Sequence, residues 1–154
     1  MDLTFHDDVL SSGKNGTAVF AQSRAADGQG DISVELAKDK LIFGGKGGEG
    51  LHLSGGLNNT FLNHGTILTA DELAGQAIIG EEGNDTIDNF GTFFGEFDLG
   101  TGTNTFVNEE KAQFVPGEKL SLGAAGNVLV NNGIMKIGDM KLAQHTDMEG
   151  SFIQ

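Results

Sequence analysis

Gly80-Glu81-Glu82-Gly83-Asn84-Asp85-Thr86-Ile87-Asp88 is the stretch with the strongest claim to chemistry. It comes close to the nonapeptide Gly-Gly-x-Gly-x-Asp-x-apolar-x, whose oxygens bind calcium in stacked repeats. Calcium takes six to eight oxygen ligands, and in that arrangement they come from consecutive copies on adjacent turns. This chain has one copy, and its related phrases do not recur at nine residues. Only weak calcium binding near Asp85 stays open. His6, His52, His64 and His145 lie in separate segments with no metal-ligand spacing between them, so each reads as a surface histidine. Asp98 stands at the outward centre of a strand, in file with His52 and Ser121 and with no second acid, a poor basis for acid–base cleavage of a sugar chain. The glycines of Gly44-Gly45-Lys46-Gly47-Gly48 have no helix after them and no Gly-Lys-Ser/Thr, so they do not make a phosphate loop. No Gly-x-Ser-x-Gly elbow occurs. No catalytic, cofactor-binding or metal residue is assigned, and no cofactor is expected.

The composition sets the outer limits. The 154 residues suit a single domain, 1–154, and 25 glycines with one proline imply many tight turns. Nine basic against 22 acidic residues give a net charge of −13, which disfavours nucleic acid and anionic lipid, where phosphate neutralisation supplies the affinity. No apolar run reaches about 18 residues, so no direct membrane insertion is expected. The absence of cysteine excludes disulfides and thiolate zinc sites. Asp2, His6, Asp7 and Asp8 interrupt any signal-peptide pattern at the start. Gly150-Ser151-Phe152-Ile153-Gln154 reads as a strand stopped in mid-phrase, so the chain is expected to be a fragment of a longer one.

The elements that would position these residues are short strands. Residues 1–16 are polar and read as a cap or an added start. Thr17–Ala21, Ile32–Leu36 and Lys40–Phe43 are candidate strands in an irregular region, 17–50, with a loop at 26–30. From Leu51 to Gln154 a phrase repeats. Each unit opens with an alternating triplet: Leu51-His52-Leu53, Ala77-Ile78-Ile79, Phe97-Asp98-Leu99 and Leu120-Ser121-Leu122. An asparagine follows five positions after the last member, at Asn58, Asn84, Asn104 and Asn127. A second strand carries Phe61, Ile87, Phe106 and Leu129 and ends at Asn63, Asn89, Asn108 and Asn131. Glycine comes two residues later at Gly65, Gly91 and Gly133, with Glu110 in the third unit, before a third strand with Ile67, Phe93 and Met135. Thr69 and Glu72 form a capping-box pattern for one helical turn over 69–74.

Units of 26, 19 and 23 residues, measured between the closing asparagines, cannot bury an apolar face alone but can do so stacked on one another. The expected fold is all-β: a right-handed parallel β-helix of roughly six turns, with three short strands per turn. One internal stack would hold Phe61, Ile87, Phe106 and Leu129, and a second Leu53, Ile79, Leu99 and Leu122. The closing asparagines would form the corners, adopting the left-handed conformation. Their amides would hydrogen-bond from turn to turn in a ladder.

From Leu51 onward the phrasing resembles the passenger domains of bacterial autotransporters, the exported proteins of type V secretion. The resemblance rests on Asn59-Thr60-Phe61-Leu62-Asn63-His64-Gly65-Thr66-Ile67, on Asn89-Phe90-Gly91-Thr92-Phe93, and on Phe97-Asp98-Leu99-Gly100-Thr101-Gly102-Thr103-Asn104-Thr105-Phe106. It implies a structural or adhesive stem at the cell surface or secreted, flanked in the full protein by a signal and an outer-membrane barrel. No catalytic residue carries over. The expected partners are neighbouring β-helix turns, end-to-end copies, and a host or cell-surface ligand. A carbohydrate-active β-helix enzyme and a calcium-stabilised module like those of repeats-in-toxin proteins are the alternatives.

Overall fold

A computed structural model describes residues 1–24, 30–137 and 147–154. Seventeen strands follow one another along them: β1 (Asp2–Phe5), β2 (Val9–Leu10), β3 (Val19–Ser23), β4 (Ile32–Leu36), β5 (Leu41–Gly44), β6 (Leu51–Gly55), β7 (Asn58–Asn63), β8 (Thr66–Thr69), β9 (Gln76–Gly80), β10 (Asn84–Asn89), β11 (Thr92–Asp98), β12 (Thr105–Asn108), β13 (Gln113–Ser121), β14 (Val128–Asn131), β15 (Ile134–Met135), β16 (Asp147–Glu149) and β17 (Ser151–Ile153). The fold is all-β, and every strand pair is parallel. A seven-stranded sheet runs in the order β1-β4-β7-β10-β12-β14-β17. The second sheet runs β2-β5-β8-β11-β9-β6-β3, with β13 beside β11 and with β15 and β16 beside β13. Strand β11 serves two positions in that sheet because it bends at Gly95 (φ 118), where its register against β13 shifts.

Alternation along each strand decides what faces in. In the first sheet Val34, Phe61, Ile87, Phe106 and Leu129 lie opposite one another in register and are fully buried. The expected Phe61 stack therefore exists, and it extends to Leu3 and Phe152. Ile42, Ile67, Phe93 and Phe114 form a file in the second sheet. Phe114 supplies the inward residue of the unit in which Glu110 replaced glycine. Val19, Leu51, Ile78, Phe97 and Leu120 form a third file. Burying each of these side chains contributes about 1.5–3 kcal/mol, and their convergence makes one core.

Several expectations change. Ile79 is not in the second stack: it pairs with His52 and Asp98 and faces outward, while Gly80 lies opposite Leu53. The reason is steric, since a Cβ on Gly80 would come within 2.1 Å of Asp85 Oδ2. The residues that correspond are Asn59, Asp85, Asn104 and Asn127, because Asn84 pairs with Asn58 one residue earlier. The closing asparagines are not left-handed corners, since none of them has positive φ; they are the last residues of β7, β10, β12 and β14. Residues 1–16 hold two strands that pair with β4 and β5, so they continue the repeat. The expected helical turn is a short 3-10 segment, Glu72–Ala74, without a side-chain cap; Thr69 Oγ1 instead accepts the Asp71 N–H at 3.2 Å. His145 and all of the 26–30 loop except Gly30 lie outside the described residues.

Candidate functional site

The closing asparagines form the expected ladder. Asn63 Nδ2 donates to Asn89 Oδ1, Asn89 Nδ2 to Asn108 Oδ1, and Asn108 Nδ2 to Asn131 Oδ1, each at 2.7 Å. The same amides also donate to the carbonyls of Thr92, Gln113 and Ile134. Strand spacing of about 4.8 Å brings successive amides into reach, and their burial makes each bond costly to lose. The ladder stops at Leu36, which pairs with Asn63. The terminal Asn63 Oδ1 turns back to accept the Gly65 N–H at 3.2 Å.

A second buried column lies at the other end of the same strands and contains Asp85. Asn104 Nδ2 donates to the carbonyls of Leu99 and Leu122, and Asn127 Nδ2 to those of Leu122 and Gly102. Asn104 Oδ1 accepts the Asp85 N–H at 2.8 Å. Asp85 is 0% exposed. Its Oδ1 accepts from Asn59 Nδ2 at 2.8 Å, whereas its Oδ2 and Asn59 Oδ1 are buried without a partner. Burial pushes the Asp85 carboxyl up to about 6, against the opposing hydrogen bond from Asn59. The other carboxylate of β10, Asp88, faces outward. Burial, then the neighbouring Glu109, also raises it. The two acids point to opposite sides of one strand and cannot share an ion. Among the described residues no three His, Cys, Asp or Glu side chains come together as a metal site.

The outer face of β3, β6 and β9 carries a polar cluster. His52 pairs with Phe20 and Ile79 across the sheet, so Ile79 separates it from Asp98 and Ser121. The expected file of His52, Asp98 and Ser121 is therefore not contiguous. His52 Nε2 instead lies 3.1 Å from Glu81 Oε1, and Nδ1 lies 3.8 Å from Glu49 Oε2. Ser54 Oγ donates to Glu81 Oε2 at 2.7 Å and accepts from Gln22 Nε2 at 3.1 Å. Thr17 Oγ1 donates to Glu49. The Ser54 hydrogen bond is the main cause holding the Glu81 carboxyl below its usual range, partial burial opposes it, and His52 adds to the lowering. The edge of Phe20 meets His52 with ring centroids 5.0 Å apart. Ser54 donates to a carboxylate and not to the imidazole, so the cluster does not activate a serine nucleophile. It presents two carboxylates on either side of one imidazole.

Glu49, Ser54 and the pairing of Glu81 with His52 escaped the sequence reading because Ser54 lies on β6, while Glu49 and Glu81 lie in the connections before β6 and after β9. The Thr17–Glu49 and Ser54–Glu81 hydrogen bonds span 32 and 27 residues. Only the outward parity of Ser54 with His52 was legible, two residues apart on one strand. His6 is an exposed residue after β1, and His64 packs against Phe90. Compared with protein-family models, with curated proteins and with solved structures, the chain matches none of them.

Proposed function

We propose that this chain is a right-handed parallel β-helix serving as a structural and adhesive stem in an exported bacterial surface protein of the autotransporter type. The observation that carries this reading is the in-register parallel pairing of each strand with its counterpart about one repeat further on, with the asparagine ladder threaded through it. Taken as turns, β1 to β16 make six, and β17 begins a seventh. The right hand follows from the general preference of parallel crossover connections. Such a stack gains stability from neighbour contacts and grows by adding units, which suits a stem. Its place at the cell surface or outside the cell, and its presentation of a ligand site to another cell, belong to the same proposal. Antibody labelling of intact source cells, with loss of the label after external protease, is the expected result. Labelling only after permeabilisation would reject it.

A second reading, a carbohydrate-active β-helix enzyme, draws on the Glu49–His52–Glu81 cluster, where two carboxylates flank one imidazole on an open strand face. Paired carboxylates are the usual means of cleaving glycosidic bonds. This reading expects reducing ends to form from a polysaccharide and activity to be lost in Glu81→Gln. No release across a panel of acidic and neutral polysaccharides would eliminate it.

A further inference from the structure

We propose that a notch between the two sheets binds a single carboxylated sugar residue at the end of an otherwise neutral glycan. The notch arises from unequal connections between the sheets. Four residues (37–40) join β4 to β5 and four (109–112) join β12 to β13, whereas two (64–65) join β7 to β8 and two (90–91) join β10 to β11. Strands β4, β7, β10 and β12 are neighbours in that order. The two long connections thus form walls, and the two short ones the floor. Neighbouring strands stand about 4.8 Å apart, so the walls lie about 14 Å apart, room for one sugar ring and its linkage. Glycine permits the low floor: a Cβ on Gly91 would lie 2.1 Å from the Gly65 carbonyl oxygen, and one on Gly65 2.2 Å from that of Lys40.

The lining has a defined chemistry. His64 and Phe90 stack with ring centroids 4.8 Å apart and planes 17° apart, and Phe90 is 47% exposed. Both rings line an open cleft of about 430 Å³. Lys38 and Lys111 line it from opposite walls, and neither has a carboxylate within ion-pair distance among the described residues. Asp39 is the one acid in the lining. Asp39 and Lys111 both hold left-handed backbone (φ 61 and 72), which tightens each wall. Flat apolar rings pack on the C–H faces of a pyranose, Thr66, Thr92 and Gln113 offer partners to its hydroxyls, and two ammonium groups complement a carboxylate. A net charge of −13 on the whole chain repels a polyanion, whereas a local excess of cations accepts one negative group. A terminal monocarboxylated sugar meets both conditions, and a polyuronate or a nucleic acid does not.

This names a ligand for the adhesive part of the stem reading and rests on it. The test is a titration of the full chain, followed by NMR or calorimetry, with an otherwise neutral trisaccharide ending in one uronic acid. Its carboxyl-reduced counterpart, a polyuronate, inorganic phosphate and an acidic peptide are the comparison ligands. The expected result is a dissociation constant of about 1 mM or lower for the uronic acid compound, with at least about tenfold weaker binding after carboxyl reduction and in Phe90→Ala or Lys38→Met/Lys111→Gln. Unchanged melting temperatures would show that these variants still fold. Equal binding of the reduced sugar, preference for the peptide, phosphate or polyuronate, or no binding at all would overturn the proposal. Surface labelling of cells tests the stem independently, so a failure of the stem reading is distinguishable from a failure of the ligand proposal.

Discussion

Asp85 is the residue whose surroundings conflict most with its charge. It occupies a column otherwise made of Asn59, Asn104 and Asn127, and its Oδ2 has no partner. The folded chain favours the neutral carboxyl, with a value of about 6 against the ordinary 3.8. The contribution of this group to stability is therefore fully present below pH 3.8 and is lost as pH rises through 6. The difference corresponds to about 3 kcal/mol at neutral pH. Asp85→Asn is expected to raise the urea midpoint at pH 7, by up to about 3 kcal/mol in unfolding free energy, and to flatten the rise in stability that the parent gains between pH 7 and pH 5. Equal stability of the two proteins at both pH values would refute this account. Asn89 is the opposite case, a polar residue with every amide group satisfied. Asn89→Leu removes one of the two acceptors of the Asn63 amide, leaving it the Thr92 carbonyl alone, and leaves Asn108 Oδ1 without its donor. Two such losses cost about 2–4 kcal/mol, and an unchanged urea midpoint would remove the ladder from the explanation of stability.

Among the elements, β11, β12 and β13 hold the densest aromatic packing. Phe106 lies with its ring centroid 5.1 Å from Phe93, 5.0 Å from Phe97 and 4.8 Å from Phe114. Phe106→Ala should cost about 3–5 kcal/mol, and Phe106→Leu less, in chemical denaturation. A loss below about 1 kcal/mol for alanine would mean that the neighbouring rings collapse into the space. Strand parity made the Phe61–Leu129 file and the outward direction of His52 readable from sequence. It could not give the register of β9, where the triplet Ala77-Ile78-Ile79 offers apolar residues on both faces. The Gly80–Asp85 approach chose between them. The notch was equally hidden, since its walls depend on which connections lie side by side.

At the scale of the whole molecule, the apolar file of the seven-stranded sheet runs from β1 to β17. Among the described residues β1 has β4 on one side and no neighbour on the other, and β17 pairs with β14 alone. Phe152 is 43% exposed at the end of the file that begins with Leu3 and Val34. Unpaired parallel edges with apolar residues invite another copy. Sedimentation should show association that grows with concentration, and Phe152→Lys should reduce it. A monomer at all concentrations for both proteins would show that the ends are blocked.

The sequence by itself determined the repeating strands from Leu51 onward, their parallel stacking and the amide ladder of the closing asparagines, because period-2 alternation and a recurring phrase are local properties. It also revealed that Asp85 departs from its echoes. Only the tertiary structure decided what that departure means. The partners that join one asparagine of the ladder to the next, Asn59 to Asp85, and Ser54 to Gln22 and Glu81 lie 19 to 32 residues apart, in or beside a neighbouring strand whose register depends on side-chain size and connection length. That register buries Asp85, puts Gly80 beneath it, separates His52 from Asp98, and sets His64 against Phe90 between two lysines.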